Sequence, residues 1–333
     1  MAKGLVAFEY TKGARRKPNT LLFLGGLGDG LCTVEYIADL VSAAESTQWS
    51  IFSPILSSSY GGWGLSHLGK DIDEIAQCVR YIREYKTQIY GSGKIVVMGH
   101  STGSQDVMHY LTCVNPRPKH PVLDRGTEPV TRPCIDGAII QAPVSDREAM
   151  LWVMTTGTDR DSPETMRELC ARAAENAKKS PFEDGDTLDT LVPLSVTSRI
   201  GYPNSTSVSS SRFLSLLSPD SPQNPGEDDL FSSDLSDEKL QQTFGAIKSR
   251  GILKSKLLVL YSGRDQSVPP WVDKEALMRR WSVAAGQEIW DSNSMIIPNA
   301  SHALSDPDQA EPRRILVERV TQYLDEVDTR PLF

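Results

Sequence analysis

The chain has 333 residues, of which 39% are hydrophobic and 23% are charged, and its formal net charge is −8. The length suits one large domain or two modest ones, and the composition is that of an ordinary globular protein. A general nucleic-acid binder normally shows a basic face, which an acidic chain does not favour, so we expect no nucleic-acid partner.

The N-terminal residues, the apolar runs and the cysteines point to a cytoplasmic protein. The first residues hold no long apolar segment, so we expect no signal peptide. The longest apolar runs, at residues 21–24 and 257–261, have the length of strands, which predicts no membrane span. The five cysteines are an odd number without a CxxC pair, which is typical of reduced thiols in the cytosol.

Seven short apolar runs are predicted to be strands, at residues 5–8, 21–24, 50–52, 95–98, 135–140, 256–261 and 294–297. Amphipathic helical patterns lie among them, at residues 34–44, 68–85, 104–111 and 312–327. The clearest helix places Ile72, Ile75 and Val79 at helical spacing. Strands that alternate with helices predict the α/β class, with a mainly parallel sheet covered on both faces.

One long region, residues 143–250, interrupts this alternation and contains no confident strand. It begins with two helical patterns and continues into a Ser/Pro/Asp-rich stretch at residues 202–237. That composition fits a flexible surface insertion, but a loop of this length in a compact enzyme is often a lid. We favour the lid: residues 1–142 and 251–333 form the core, and residues 143–250 form a cap with a mobile segment near 202–237.

A serine between two glycines follows the predicted strand at residues 95–98. Gly99-His100-Ser101-Thr102-Gly103 matches the nucleophile elbow, a strained turn that lifts a serine hydroxyl above a sheet. The N–H of Thr102 would point to the position where an oxyanion forms. An ordinary glycine turn has the same composition, but the flanking strand and helix favour a nucleophile.

A nucleophilic serine needs a base, because its hydroxyl is not nucleophilic at neutral pH. The chain order Ser…Asp/Glu…His places the histidine last, and His302 fits, in a loop before the final helix. His100 lies in the elbow itself, and its side chain should point away from the serine hydroxyl. Packing or loop roles are expected for His109 and His120.

The third member of such a triad should be an acid that follows an earlier strand. Asp265 follows the run at residues 256–261, from where it would accept a hydrogen bond from His302. A simple turn residue is the other interpretation, since Gly-x-Asp suits turns. Asp146 is the competing acid, and it ranks lower because Ser145-Asp146 also resembles the N-terminus of a helix.

A glycine-rich loop after the strand at residues 21–24 is predicted to complete the oxyanion hole. The sequence GGLGDG lets the backbone approach a substrate closely. We assign the second donor to the Leu27 N–H, with Gly28 as the alternative. A phosphate loop is the rival interpretation, but the glycines lack the spacing G-x-G-x-x-G and no Gly-Lys-Ser/Thr follows.

The loop at residues 58–67 should reach the same carboxyl edge of the sheet, where ligands bind. Tyr60, Trp63 and His67 are therefore candidate substrate-binding residues, together with Gly28. A packed loop with Trp63 in the core is equally consistent with the pattern. Scattered histidines, unpaired cysteines and the lack of an HExxH motif predict neither a metal site nor a cofactor.

Four motifs, GGLGDG, GHSTGSQD, SGRDQSVP and NASH, together resemble an α/β-hydrolase over nearly the whole chain. The pair GHSTGSQD and IIQAPVSDRE is similar to a fungal family of α/β-hydrolases that includes the esterase of fusarinine-type siderophores. This resemblance implies cytoplasmic hydrolysis of the ester bonds of a hydroxamate siderophore, with release of iron after uptake. It implies Ser101 as nucleophile, His302 as base and Asp265 as acid. Gly25 stands where many hydrolases have histidine, which removes a side chain but not the backbone donor.

Other functions are consistent with the same motifs. One is a general carboxylesterase or thioesterase, and another is a catalytically silent α/β-hydrolase that binds a ligand. In a fusarinine-like substrate, whether iron-loaded or iron-free, the amines are free and cationic. An acidic stretch could attract them, although a solvated loop is the simpler explanation; its members are Glu227, Asp228, Asp229 and Asp234.

Overall fold

The computed structural model describes residues 5–10, 17–120, 123–124, 128–179 and 189–329. In these residues the strands are β1 (Val6–Tyr10), β2 (Asn19–Leu24), β3 (Trp49–Ile55), β4 (Ile95–His100), β5 (Gly137–Gln141), β6 (Leu191–Val192), β7 (Val208–Ser209), β8 (Leu257–Ser262) and β9 (Met295–Ile297). Seven of them form one sheet in the order β1-β3-β2-β4-β5-β8-β9. β1 pairs antiparallel with β3, and the other neighbours pair in parallel.

The helices of the described residues are α1 (Ile37–Ala44), α2 (Leu68–Tyr90), α3 (Thr102–Thr112), α4 (Asp146–Thr156), α5 (Pro163–Lys178), α6 (Leu194–Thr197), α7 (Ser210–Leu217), α8 (Asp237–Gln242), α9 (Ala246–Arg250), α10 (Lys274–Ala285) and α11 (Ala310–Thr329). A 3-10 helix covers Tyr60–Leu65. Across the part of the chain that the structure describes, no helix combines the length and the apolar character that crossing a membrane requires.

All seven predicted strands are present, although their ends shift by up to three residues. The expectation that residues 143–250 contain no strand is wrong, because β6 and β7 pair antiparallel there. Each of these strands has two residues, which is too short for a period of two to be recognised in a sequence. The helix α10 and the short helices α6 to α9 were not predicted.

The sheet is covered on both faces, which is why β2, β4, β5 and β8 are buried along their whole length. On one face α2, α3 and α10 enclose a hydrophobic cluster that includes Ile75, Val107 and Trp281. On the other face α1 and α11 enclose a second cluster around Leu40 and Leu316. These two clusters bury both faces of the parallel strands.

A third hydrophobic cluster lies between α4, α5 and α7, and Trp63 from the 3-10 helix packs into it. The stretch at residues 202–237 contributes buried side chains both to this cluster and to the first one, including Phe213, Leu216 and Phe231. The stretch is therefore more than a surface insertion, because its few large apolar side chains are placed at buried positions.

Parallel strands end at the same edge of a sheet, so the loops that follow β2, β4, β8 and β9 emerge together. These loops hold the residues predicted from the sequence to carry the chemistry, Leu27, Ser101, Asp265 and His302. The topology thus brings to one edge four segments that are far apart in the chain.

Candidate active site

Ser101 occupies the turn between β4 and α3, with φ of 54° and ψ of −123°, a conformation that non-glycine residues rarely adopt. Its N–H donates to the Gln141 carbonyl oxygen at 3.0 Å, which ties the turn to β5. A Cβ on Gly99 would lie 2.0 Å from the Gly103 carbonyl oxygen, and one on Gly103 would lie 2.6 Å from the Gly25 carbonyl oxygen. The two glycines are therefore required by close backbone approach, as the elbow motif predicts.

Three side chains from separate loops meet at this turn. His302 Nε2 lies 2.8 Å from Ser101 Oγ, and His302 Nδ1 lies 2.8 Å from Asp265 Oδ2. The Asp265 side chain is fully buried, and its Oδ1 accepts from the Ser267 N–H at 2.9 Å. Gln266 Oε1 accepts from the His302 N–H at 2.9 Å. In this arrangement His302 can remove the serine proton while Asp265 fixes the orientation of the imidazole.

The competing acid, Asp146, is the first residue of α4. Its Oδ2 accepts from Gln105 Nε2 at 2.8 Å. Burial, followed by the charge of Asp228, raises the pKa of Asp146 to about 6. A carboxyl that is hydrogen-bonded elsewhere does not orient His302, so the geometry favours Asp265 as the acid.

His100 is a buried neighbour of His302, with 5.1 Å between the two ring centres. Its Nδ1 lies 2.6 Å from Gln141 Oε1, which also accepts from the Tyr36 hydroxyl at 3.0 Å. Burial, together with the charge of His302, lowers the pKa of His100 to about 4. His100 is therefore neutral near pH 7 and supports the His302 ring without competing for its proton.

The glycine-rich loop after β2 lies directly against Ser101, since a Cβ on Gly26 would lie 2.6 Å from Ser101 Cβ. The Gly26 N–H donates to Asp29 Oδ2 at 2.7 Å, which occupies it within the loop. In the described chain no group accepts from the Leu27 N–H. Thr102 is the first residue of α3, where a helix leaves its N–H groups free. Leu27 and Thr102 line one cavity beside Ser101, which makes both N–H groups suitable donors to an oxyanion.

Two of the predicted pocket residues, Trp63 and Tyr60, have different roles. Trp63 lines the cavity, and its ring also packs on Tyr202 with 5.1 Å between ring centres. It is thus both a cavity wall and a packed residue. Tyr60 is half exposed, and its hydroxyl accepts from the Leu31 N–H at 2.9 Å, so that it braces the glycine-rich loop from outside the cavity.

The other two predicted pocket residues, His67 and Gly28, do not line this cavity. His67 is buried elsewhere, with Nε2 at 3.3 Å from the Asp124 carboxylate. The 3-10 helix at Tyr60–Leu65 turns the chain before it reaches His67, which explains why a prediction based on one continuous loop misplaced it. Gly28 is exposed, with φ of 85°, a conformation that favours glycine.

The lining of the cavity includes buried charged residues, which the sequence interpretation missed. Arg212, from α7, is buried, and its Nη1 donates to Asp228 Oδ2 at 2.7 Å. Burial works against the charge of Arg212, but four carboxylates outweigh burial and raise its pKa, namely Asp228, Asp71, Asp146 and Asp106. We call these five residues the Arg212 cluster.

The carboxyls of the Arg212 cluster differ from exposed ones in their protonation. Burial raises the pKa of Asp71 to about 6, and burial together with the charge of Asp71 raises that of Asp106 well above its usual value. A signal for the cluster exists in the sequence, because Arg212 stands beside Phe213 and four residues before Leu216 on the buried face of α7. No group of three or more His, Cys, Asp or Glu side chains in the described ranges is arranged to hold a metal ion.

The acidic stretch after α7 is solvated only in part, since Glu227 and Asp234 are exposed. Asp228 and Asp229 are 1% and 3% exposed. Asp228 belongs to the Arg212 cluster, and Asp229 accepts from serine hydroxyls. Asp234 forms an ion pair with Arg147 at 2.7 Å. Asp228, Asp229 and Asp234 are therefore occupied within the fold, and only the exposed members, Glu227 and Asp234, agree with the expected solvated loop.

Comparison with known proteins identifies a matching family and two similar proteins. A family model described as "Protein of unknown function (DUF1749)" matches residues 1–325. "Esterase AN6793" of Emericella nidulans is 54% identical over 348 residues, which cover 99% of this chain and 92% of that protein. "Fusarinine C esterase sidJ" of Aspergillus fumigatus is 54% identical over 328 residues, which cover 96% of this chain and 92% of that protein.

A solved structure, "Siderophore hydrolase EstB from Aspergillus fumigatus", is similar in fold and in sequence. It matches with a TM-score of 0.87 and 52% identity, and the match covers 99% of this chain and 96% of that chain. Together with the mainly parallel seven-stranded sheet, this likeness confirms the predicted α/β-hydrolase fold.

Proposed function

The chain belongs to the DUF1749 family of proteins of unknown function. We propose that it is a serine esterase that hydrolyses a fusarinine-type hydroxamate siderophore. The observation that carries the chemistry is the continuous chain of 2.8 Å contacts from Asp265 through His302 to Ser101. The substrate class is supported by two relatives at 54% and 52% identity, which are named as a fusarinine C esterase and a siderophore hydrolase.

The proposed reaction has two steps. In the first, His302 Nε2 accepts the proton of Ser101 Oγ as this oxygen attacks the ester carbonyl, and the N–H groups of Leu27 and Thr102 hold the oxyanion. His302 then protonates the departing alcohol, which leaves the acyl group on Ser101. In the second step, water activated by His302 attacks this acyl-enzyme and restores the serine. Asp265 stabilises the imidazolium that forms in both steps.

Ester hydrolysis would release iron because it divides the chelator. In a fusarinine-like substrate the acyl half is an N-hydroxyornithine carboxyl, and the leaving group is an anhydromevalonyl alcohol. Hydroxamate groups that share one iron are held close together by these ester links. Cutting the links lowers the effective concentration of the remaining hydroxamates at the metal. The iron is thus part of the substrate.

We also propose that residues 143–250 act as a cap and that the cap decides which ester reaches Ser101. The support is that α7 of this region brings Arg212 to the same cavity as the two proposed oxyanion donors. A cytoplasmic location agrees with five cysteines that are all free thiols. The net charge of −8 favours a small-molecule substrate over a nucleic acid.

Covalent labelling tests the nucleophile. A fluorophosphonate probe should add one mass increment to the wild type and none to Ser101→Ala. Ser249→Ala, which removes an exposed serine of α9, is the matched control and should label like the wild type. Equal labelling of Ser101→Ala, or no labelling of the folded wild type, would contradict the assignment and favour a silent binding protein.

Incubation with ferri-fusarinine C tests the substrate class. Mass spectrometry should detect fragments that have gained one water for each cleaved ester, and Ser101→Ala should produce none. If short p-nitrophenyl esters are hydrolysed while the siderophore stays intact, a general carboxylesterase replaces the proposal.

A further inference from the structure

A lysine outside the triad is bound to the turn that carries Asp265. Lys274 is the first residue of α10, and it is half-buried. Its Nζ donates to the carbonyl oxygens of Ser262 and Gly263 at 3.0 and 2.8 Å. The same nitrogen lies 5.6 Å from the centre of the Tyr261 ring. The ammonium group therefore contacts the end of β8 and the main chain just before Asp265.

The helix α10 does not explain why a lysine stands at this position. A helix N-terminus carries a positive partial charge, so a cation in the first turn is unfavourable there. Asp273 already caps this end, since its side chain accepts from the Ala276 N–H at 2.9 Å. Burial lowers the pKa of Lys274, and the charge of Asp265 works against this. The lysine thus stands at a cost to the helix and to its own hydration, and its favourable contacts are with the turn.

Asp265 is a carboxylate that requires compensation of its charge. Its side chain is fully buried, and a buried carboxylate without a compensating charge is costly. Its hydrogen-bond partners are the Ser267 N–H and His302 Nδ1. When His302 is neutral and ready to accept the serine proton, the Asp265–His302 pair has a net negative charge. Lys274 supplies a charge of the opposite sign.

The other charged groups around the turn do not supply this compensation. Arg264 belongs to the turn, but 67% of its side chain is exposed and it pairs with Asp308 at 3.2 Å. Burial, together with the charge of His302, lowers the pKa of His100 to about 4, so this imidazole is neutral near pH 7. The remaining titratable groups on β8, α4 and α10 near the lysine are acids, namely Tyr261, Glu148, Asp273 and Glu275.

We propose, on the basis of the esterase function above, that Lys274 is a positioning residue of the triad. Its ammonium group fixes the turn that carries Asp265 and offsets the negative charge of the buried carboxylate. It acts through Asp265 on His302 and not on the substrate. The offset weakens the stabilisation of the imidazolium, so that His302 loses its proton at a lower pH and serves as a base over a wider pH range.

The rate of fluorophosphonate labelling of Ser101, measured as a function of pH, tests this role. In Lys274→Met the acidic limb of the profile should move to higher pH by about 0.5–1 unit, because a nearby positive charge is lost. The plateau rate should fall by about tenfold, because the turn is less well placed. Lys274→Arg keeps the charge and should keep the wild-type limb. Lys248→Met, which removes an exposed lysine of α9, is the matched control and should keep both limb and plateau.

A merely structural lysine would lower the plateau without moving the limb. An unshifted limb in Lys274→Met, an equal shift in Lys274→Arg, or an unchanged plateau in Lys274→Met therefore overturns the assignment. If Lys274→Met does not fold, Lys274→Gln, which also removes the charge, is measured in its place with the same expectation.

An NMR titration of the histidine rings separates this inference from the proposed function. The His302 signal is identified by its loss in His302→Asn. When the folded wild type is not labelled, the esterase proposal fails. A His302 signal that titrates at higher pH in Lys274→Met than in the wild type still supports the role of Lys274, and an unchanged titration refutes it.

Discussion

On the sheet side of the cleft the functional groups stand in the turns that follow parallel strands, whereas on the side of residues 143–250 they come from the helix α7 and the loop that follows it. The sheet side places Ser101, Asp265 and His302 within a chain of 2.8 Å contacts. The other side contributes Arg212 and Asp228, which are charged and buried together. Hydrogen bonds order both sides. Backbone geometry positions the residues of the sheet side, whereas Arg212 and Asp228 are positioned by compensation of their charges.

The two sides also differ in how far their functional residues can be recognised from the sequence. Turns after strands have characteristic residues and spacing, so their chemistry is visible before the fold is known. Buried charges have no such pattern, since a carboxylate in a polar stretch looks the same whether it faces water or an arginine. The contrast predicts that the two sides respond differently to substitution, and three experiments examine it.

The largest effect should separate the two candidate acids. Asp265→Asn on the sheet side should lower kcat by about 10⁴-fold, because an amide disturbs the tautomer and orientation of His302. Asp146→Asn on the other side should lower kcat by less than about tenfold, because its carboxyl contacts Gln105. Steady-state rates with one chromogenic ester measure both. A larger loss of kcat in Asp146→Asn than in Asp265→Asn would assign the acid role to Asp146 and would contradict the contrast between the two sides.

The second effect concerns the stretch at residues 202–237. Phe213→Ala should lower the free energy of unfolding by about 3–5 kcal/mol, because this side chain is fully buried in the third cluster. Leu191→Ala removes an apolar side chain from the same region that is 57% exposed, and it should change stability by about 0.5 kcal/mol or less. Urea unfolding compares the two variants. Equal midpoints would mean that the stretch behaves as a surface loop.

The smallest expected effect is a pH dependence of stability, and it comes from Asp146 on the side with buried charges. Burial, followed by the charge of Asp228, raises the pKa of folded Asp146 from 3.8 to about 6. Between these values the folded carboxyl keeps a proton that the unfolded one has lost, so its contribution to stability falls as pH rises. Asp146→Asn removes this titration and should gain stability relative to the wild type from about pH 4 to pH 6, by at most about 3 kcal/mol. Urea unfolding across this interval measures the difference, and a constant difference would contradict the shift.

The sequence predicted the sheet and the positions of the nucleophile, base and acid because each depends on local constraints. A buried parallel strand is a continuous apolar run, and the elbow requires small residues around Ser101. Chain order then selected His302 from five histidines, and the resemblance of Ser145-Asp146 to a helix N-terminus ranked Asp265 above Asp146. The structure brings these three side chains together at hydrogen-bonding distance.

The pocket could not be predicted in the same way, because its walls come from segments whose relation is set by packing. His67 was assigned to it from its place in a loop, but the 3-10 helix before it turns the side chain toward Asp124. Arg212 and Asp228 were missed or assigned to a solvated loop. The place of Arg212 on the apolar face of α7 is a signal of its burial. Its partner Asp228 lies 16 positions further along the chain, and no period in the sequence connects the two residues.

The crowding around the glycines of the nucleophile turn bears on how such an enzyme can diversify. The Cβ positions of Gly99 and Gly103 are already filled by main-chain carbonyl oxygens, and that of Gly26 is filled by Ser101. The serine is therefore located by the main chain of the sheet and not by any side chain of residues 143–250. A library that randomises the helices of this region, or a chimera that takes them from a relative, can search for new esters while the attacking oxygen keeps its place.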